Sequence, residues 1–182
     1  MSQSEVYTVS VIDLMHKPGQ MREASLDILT PESMGEGIAV IPVGTELDLD
    51  VRFESVHEGI LVTGEVFVDA DAECSRCLEP LTVPIEVDFQ ELFTYSVSSE
   101  DDHSVIDEQI NLEQVIRDAV VLNLPLHPLC QIDCLGLCVE CGVKMSENPH
   151  HVHEAPVDSR WIALKELQQQ DPLNLNLQPE KE

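Results

Sequence analysis

From Leu47 to Phe89 the apolar residues return at every second position, and that period governs what the chain can become. Leu47, Leu49, Val51 and Phe53 share one face of an extended segment; Ile60, Val62, Val66 and Val68 repeat the pattern, and Leu81, Val83, Ile85, Val87 and Phe89 repeat it again. Successive side chains of a strand point to opposite faces, so each run would carry one apolar and one polar face. His57-Glu58-Gly59 offers a turn between the first two runs, and the Cys74-to-Pro80 segment turns the second into the third. The expectation is an antiparallel meander with one face buried. Upstream, Val6–Leu14 and Met21–Leu29 are shorter candidate strands, followed by proline- and glycine-containing loops at His16-Lys17-Pro18-Gly19 and Pro31-Glu32-Ser33-Met34-Gly35. The sheet is expected to occupy roughly residues 5 to 95.

The period changes after the acidic stretch Ser96-to-Asp107, which has too little apolar content to pack and reads as an exposed loop. Leu112, Val115, Ile116, Ala119 and Val120 follow the three-four spacing of a helix that Asn111 can cap and Pro125 must end. A helix over 111–123 would cover the sheet. Beyond it the composition turns to cysteine, histidine and glycine until Asp158, which can cap a short helix through Trp161, Leu164 and Leu167 before a Gln-rich, Pro-containing tail. The fold class is α+β: an antiparallel sheet covered by a helix, with a C-terminal cysteine-rich, zinc-binding segment and a short helix. The expected organisation is a β-rich domain with its covering helix at 1–125, a cysteine/histidine-rich segment at 126–156, and a short helix with a flexible tail at 157–182.

Nine basic residues stand against 35 acidic ones, a net charge of -26. Such a balance excludes unaided capture of nucleic acid through a basic phosphate-binding surface and favours basic protein partners. No Lys or Arg lies between Arg76 and Arg117, whereas ten acidic residues do, so the middle of the chain holds a strongly negative potential. Met1–Tyr7 lacks the basic and apolar regions of a signal peptide, and no run of about 18 apolar residues could span a bilayer. The reading is a cytoplasmic protein, where reducing conditions leave metal coordination or thiol chemistry to the six cysteines.

Cys130, Cys134, Cys138 and Cys141 lie within the run CQIDCLGLCVEC, followed by Gly142. Four soft ligands that close point to tetrahedral zinc, and these four are the expected metal ligands. In Cys138-Val139-Glu140-Cys141-Gly142 a two-residue spacer turns both sulfurs toward one ion, and glycine eases the bend. Two other arrangements compete. Cys74-Ser75-Arg76-Cys77 is a second such pair, in a turn between strands, and the fold could bring it against Cys138 and Cys141 as a split ribbon. His151 and His153 could instead supply imidazoles beside Cys138 and Cys141. A closed site of any of these kinds would be structural, its binding free energy acting as folding free energy.

Other chemistries find less support. A redox-active pair needs a helix N-terminus to lower its thiol pKa, and Cys74 lies between strands. The histidines form no nucleophile arrangement, Gly44, Gly59 and Gly64 form no phosphate-binding signature, and Trp161 on an apolar stripe reads as a packing anchor.

CSRCLEP at Cys74–Pro80, DFQELF at Asp88–Phe93, LNLPLHPLC at Leu122–Cys130 and the cysteine run ending at Gly142 together resemble the YceD family of large-subunit ribosomal RNA accumulation proteins. VDSRWIALKEL at Val157–Leu167 is similar to that family's C-terminal signature, with Val157-Asp158-Ser159-Arg160 in place of the usual Asp-Pro-Arg. The resemblance implies a small β-sheet and helix domain and a role in maintaining 23S ribosomal RNA and large ribosomal subunits, with no established catalytic reaction. Where many relatives carry a further cysteine pair, this chain has His151-Val152-His153, and histidine is a competent replacement at zinc.

The expected function is therefore a non-enzymatic ribosome-biogenesis factor whose acidic surface binds a basic ribosomal protein or a pre-large-subunit particle. Direct RNA contact through Arg76, Arg117, Lys144 and Arg160 is a minor route, since few cations neutralise few phosphates. The alternatives are a zinc-dependent interaction module unrelated to ribosomes, and a thiol or zinc enzyme. A catalytic zinc keeps one position open, whereas this chain offers an excess of ligands.

Overall fold

The structure, a computed structural model, describes residues 6–96, 103–148, 150–153 and 160. The chain divides into two compact units, Met1–Leu137 and Cys138–Glu182, and residues 126–137 of the expected cysteine- and histidine-rich segment fall in the first. Arg160 apart, the short helix expected within 157–182 lies outside the described residues, as does half of the acidic loop, residues 97–102.

Among the described residues the regular structure is mostly antiparallel sheet with one α-helix. Seven strands run β1 Thr8–Ser10, β2 Met21–Leu29, β3 Ala39–Val40, β4 Glu46–Ser55, β5 Gly59–Glu73, β6 Pro80–Thr94 and β7 Gln109–Asn111, followed by α1 at Glu113–Asn123. β5 is the spine of the main sheet. β6 flanks it over the full span Gly59–Glu73, so the two make one long hairpin. β4 pairs with Ile60–Val68 and β3 with Asp71–Ala72 of β5, and β2 closes the far side against β4.

The register explains how the alternation is used. Leu47, Leu49, Val51 and Phe53 of β4 are all buried, as are Ile60, Val62, Val66 and Val68 of β5 and Ile85, Val87, Phe89 and Phe93 of β6. Burying each such side chain contributes about 1.5–3 kcal/mol, which makes this apolar face the main source of stability. Gly64 stands in the buried row between Val51 and Phe89, where a Cβ would lie 2.6 Å from the Phe89 ring and 2.8 Å from Val51 Cγ1. The missing side chain is what leaves room for those two neighbours. Gly59 serves the hairpin turn in a different way: Val56 N–H donates to its carbonyl at 3.0 Å, and any Cβ there would run into the Phe93 carbonyl of β6.

Two sequence expectations are corrected in extent. Val6–Leu14 forms a strand only at Thr8–Ser10, and that strand pairs with β7 rather than joining the main sheet. The reason is visible in its buried residues, Tyr7, Val11 and Leu14, whose spacing is that of a turning chain and not of alternation. β3 and β7, of two and three residues, were not expected at all.

α1 starts where Asn111 Oδ1 accepts the backbone N–H of Glu113 at 2.9 Å, satisfying one of the orphan donors of the first turn. It stops because Leu124 precedes Pro125 and is extended, with φ -61° and ψ 136°. The helix packs against β6, and its buried Val115, Ile116 and Val120 belong to the same apolar cluster as the sheet. No helix among the described residues is long and apolar enough to cross a membrane.

Candidate metal centres and the acidic sheet face

The long β5–β6 hairpin ends in the loop Cys74–Glu79, so its geometry is set by two fifteen-residue strands. At this tip Cys74 N–H donates to the Glu79 carbonyl at 2.8 Å and Leu78 N–H to the Cys74 carbonyl at 2.9 Å. The same bend recurs at Cys138–Val143, with Cys138 N–H to the Val143 carbonyl at 2.8 Å and Gly142 N–H to the Cys138 carbonyl at 2.8 Å. In both, the residue after the second cysteine has positive φ, 60° at Leu78 and 73° at Gly142. Glycine adopts that conformation freely; leucine does so at a cost of about 1–2 kcal/mol. Two copies of one cysteine knuckle are thus present.

Each knuckle sits in a four-donor group whose ligand atoms lie within 4.8 Å of one another: Cys74, Cys77, Cys130 and Cys134 in the first unit, and Cys138, Cys141, His151 and His153 in the second. The run Cys130, Cys134, Cys138 and Cys141 that the sequence pointed to is shared between the two. The mixed grouping with His151 and His153 was one of the readings kept open. The grouping of Cys74 and Cys77 with Cys130 and Cys134 was not foreseen. One signal could have found it: six cysteines and the His-x-His pair make eight donors, enough for two complete tetrahedra.

In the first group Cys74, Cys77 and Cys134 are buried, packed with Leu81 and Leu129. Cys74 and Cys134 sulfurs are 3.9 Å apart, Cys77 and Cys130 sulfurs 3.6 Å. A tetrahedron with metal–sulfur bonds of about 2.3 Å has edges of about 3.8 Å, so these two pairs already stand at tetrahedral spacing. The segment that brings Cys130 and Cys134 is tied across the knuckle by main-chain contacts. Ser75 N–H donates to the Pro128 carbonyl at 2.9 Å, Leu137 N–H to the Arg76 carbonyl at 3.1 Å, and the Arg76 guanidinium to the Cys134 carbonyl at 2.9 Å. Gly136, at φ 74°, crosses so closely that a Cβ would lie 3.0 Å from the Arg76 carbonyl oxygen.

Electrostatics in this group favours a cation. Backbone N–H groups, Cys130 first and then Cys77 and Arg76, lower the Cys74 thiol to about 6. Cys130, crowded by Cys134 and then Cys77, is pushed up to about 12. One sulfur is ready as a thiolate, and the clustered thiols oppose further ionisation. A divalent ion at the centre removes that opposition and draws the protons off.

The second group is more open: Cys141 is exposed, and Cys138, His151 and His153 are partly so. Backbone N–H groups of Cys141 and then Glu140 lower the Cys138 thiol to about 6. Nε2 atoms of His151 and His153 lie 2.7 Å apart, at 3.0 and 3.2 Å from Cys141 Sγ. These spacings are tighter than the edges of about 3.3–3.5 Å in a mixed Cys/His tetrahedron, so the donors converge and would spread slightly around an ion. Glu140 Oε2 stands 3.3 Å from His153 Nδ1, the position from which a carboxylate orients a ligating imidazole. Both donor sets, soft sulfur with or without imidazole, suit a metal ion, and the protein can hold one in each group.

Away from these groups, the second face of the sheet is open and acidic. Pairing register lines up Ser25, Asp50, Glu65 and Asp88 across β2, β4, β5 and β6, with Asp27, Asp48, Phe67 and Glu86 in the next row. Like charges opposed across strands oppose one another. Partial burial, then Asp88 beside it, raises the Glu65 carboxyl above the usual range. A hollow of about 490 Å³ opens here, lined among others by Glu23, Asp50, Glu65 and Asp88. Arg52 also lines it, with its charge directed to Glu54 at 2.9 Å. Of the cations singled out for RNA contact, Arg76 is engaged at Cys134 and Arg117 pairs with Glu32 at 3.2 Å.

The family model described as "Large ribosomal RNA subunit accumulation protein YceD" matches residues 62–168. An uncharacterized protein of Mycobacterium tuberculosis is 43% identical over 88% of this chain and 80% of its own length. One from Mycobacterium leprae is 35% identical over 86% and 75%, and the uncharacterized protein YlbN of Bacillus subtilis 24% identical over 72% and 77%. No solved structure matches the chain.

Proposed function

The chain belongs to the YceD family, and from that premise we propose that it is a non-enzymatic ribosome-biogenesis factor. It supports the accumulation and processing of 23S ribosomal RNA and assembly of the large subunit by binding a basic ribosomal protein or a pre-large-subunit particle. The family's description, which names a ribosomal RNA accumulation role, is the observation that carries this reading.

Physical support comes from charge. With 35 acidic against nine basic residues the chain repels phosphate and attracts cationic surfaces. Rows of opposed carboxylates at Asp50, Glu65 and Asp88 are held at a cost that a cationic partner would relieve. Complementary charge speeds encounter and makes the complex salt-sensitive. The two arginines that could have met RNA within the first unit are taken up by internal contacts. Zinc, in this reading, is structural: closed four-donor groups leave no position for a catalytic water.

Affinity purification of the tagged protein at low salt, with mass spectrometry of co-purifying proteins and sequencing of any RNA, tests the proposal. Recovery of large-subunit precursors or one basic ribosomal protein, lost as salt is raised, is the expected result. Recovery of neither would favour an interaction module unrelated to ribosomes.

A further inference from the structure

We propose that the chain carries two zinc ions, one in each four-donor group, and that the ion held by Cys138, Cys141, His151 and His153 exchanges while the one held by Cys74, Cys77, Cys130 and Cys134 stays in place. This rests on the structural-metal reading above and is independent of the ribosomal role.

Stoichiometry follows from the donors. Each group is complete with four ligands of types that zinc takes, and neither needs to borrow from the other. Each contains a knuckle with the same pair of main-chain hydrogen bonds and the same positive-φ residue after its second cysteine. A bend that is built twice, once at the expense of a leucine in the left-handed region, serves the same local purpose twice.

The difference in exchange follows from surroundings. Removing a bound ion requires a chelator or water to reach the metal as each ligand lets go. In the first group, Cys74, Cys77 and Cys134 are buried beneath Leu81 and Leu129, and the Arg76 guanidinium and Gly136 strap the covering segment down. Each group has one exposed cysteine, Cys130 in the first and Cys141 in the second, but the other three donors of the first are buried, whereas none of the described residues from 138 to 153 is. The described residues of that segment supply no buried apolar cluster to keep its donors together when the ion leaves, so its metal and its local order come and go together. The sheet retains its own core throughout.

Native mass spectrometry of the zinc-loaded full chain, followed during incubation with EDTA, reads both parts. The expected result is two zinc ions per chain at the start, then a lasting species with one. A variant carrying Cys138→Ala and Cys141→Ala should hold a single ion and lose the fast phase while keeping its far-ultraviolet sheet signature. One ion in the wild-type chain overturns the two-site inference; two ions that leave together overturn the difference in exchange. A chain that holds no zinc overturns the metal reading beneath both, without touching the outcome of the affinity purification.

Discussion

The two knuckles share a backbone and differ in what surrounds it. At the hairpin tip, the bend continues two long strands, and three of the four sulfurs are covered. In the second unit, the same bend is followed by an open segment whose remaining donors are imidazoles. Identical local geometry can therefore serve as a staple added to an existing core in one place and as the organising centre in another. The contrast also shows in the bend itself, where Gly142 meets the left-handed conformation without strain and Leu78 does not. The stronger framework at the tip tolerates a residue that the weaker one has no means to hold.

The most severe way to break the comparison is to remove a buried sulfur. Cys134→Ala should lose one zinc and destabilise the first unit by more than about 4 kcal/mol in urea unfolding, the range of a lost metal site. A change of less than about 1 kcal/mol there would mean that the sulfurs are ordinary buried thiols. The corresponding cut in the second unit, Cys141→Ala with His153→Ala, should also lose one zinc yet leave the sheet's unfolding free energy within about 0.5 kcal/mol.

Exchanging the bend residues sharpens the contrast. Gly142→Leu imports the strain of the left-handed conformation into the weaker framework and should reduce zinc affinity of the second unit by about tenfold in a competition titration. Leu78→Gly relieves that strain at the tip and should stabilise the first unit by about 1 kcal/mol after the added flexibility of glycine is offset.

A change remote from both knuckles has the smallest effect. Partial burial and Asp88 raise the Glu65 carboxyl, so the folded chain is favoured below the usual glutamate range and loses that advantage as pH rises through the folded value. Glu65→Gln should raise the thermal midpoint at neutral pH, with the gain vanishing as pH falls below the glutamate range. At neutral pH the zinc content should stay at two per chain.

Much of the first unit could be read from the sequence because its signals are local. Met21–Leu29 is the β2 span as expected, and the alternating runs became β4, β5 and β6 in the expected antiparallel order. The three-four spacing, Asn111 and Pro125 marked α1 to within a residue or two. β3 and β7 are too short to carry a period: β3 takes an edge of the long β5, and β7 pairs with β1, itself only three residues. The metal groups divide in the same way. His151 and His153 were associated with Cys138 and Cys141 because chain proximity puts them in reach, whereas Cys74 meets Cys134 across 60 positions. Only the length of the β5–β6 hairpin and the crossing at Gly136 bring that pair together, and neither is written in the spacing of the cysteines.

X-ray absorption at the zinc edge of the fully loaded chain tests the division of the ligands most directly. Six thiolates and two imidazoles shared between two ions predict a mean first shell of three sulfurs and one nitrogen. A shell of four sulfurs around a single ion per chain, with no imidazole scattering, would contradict the account.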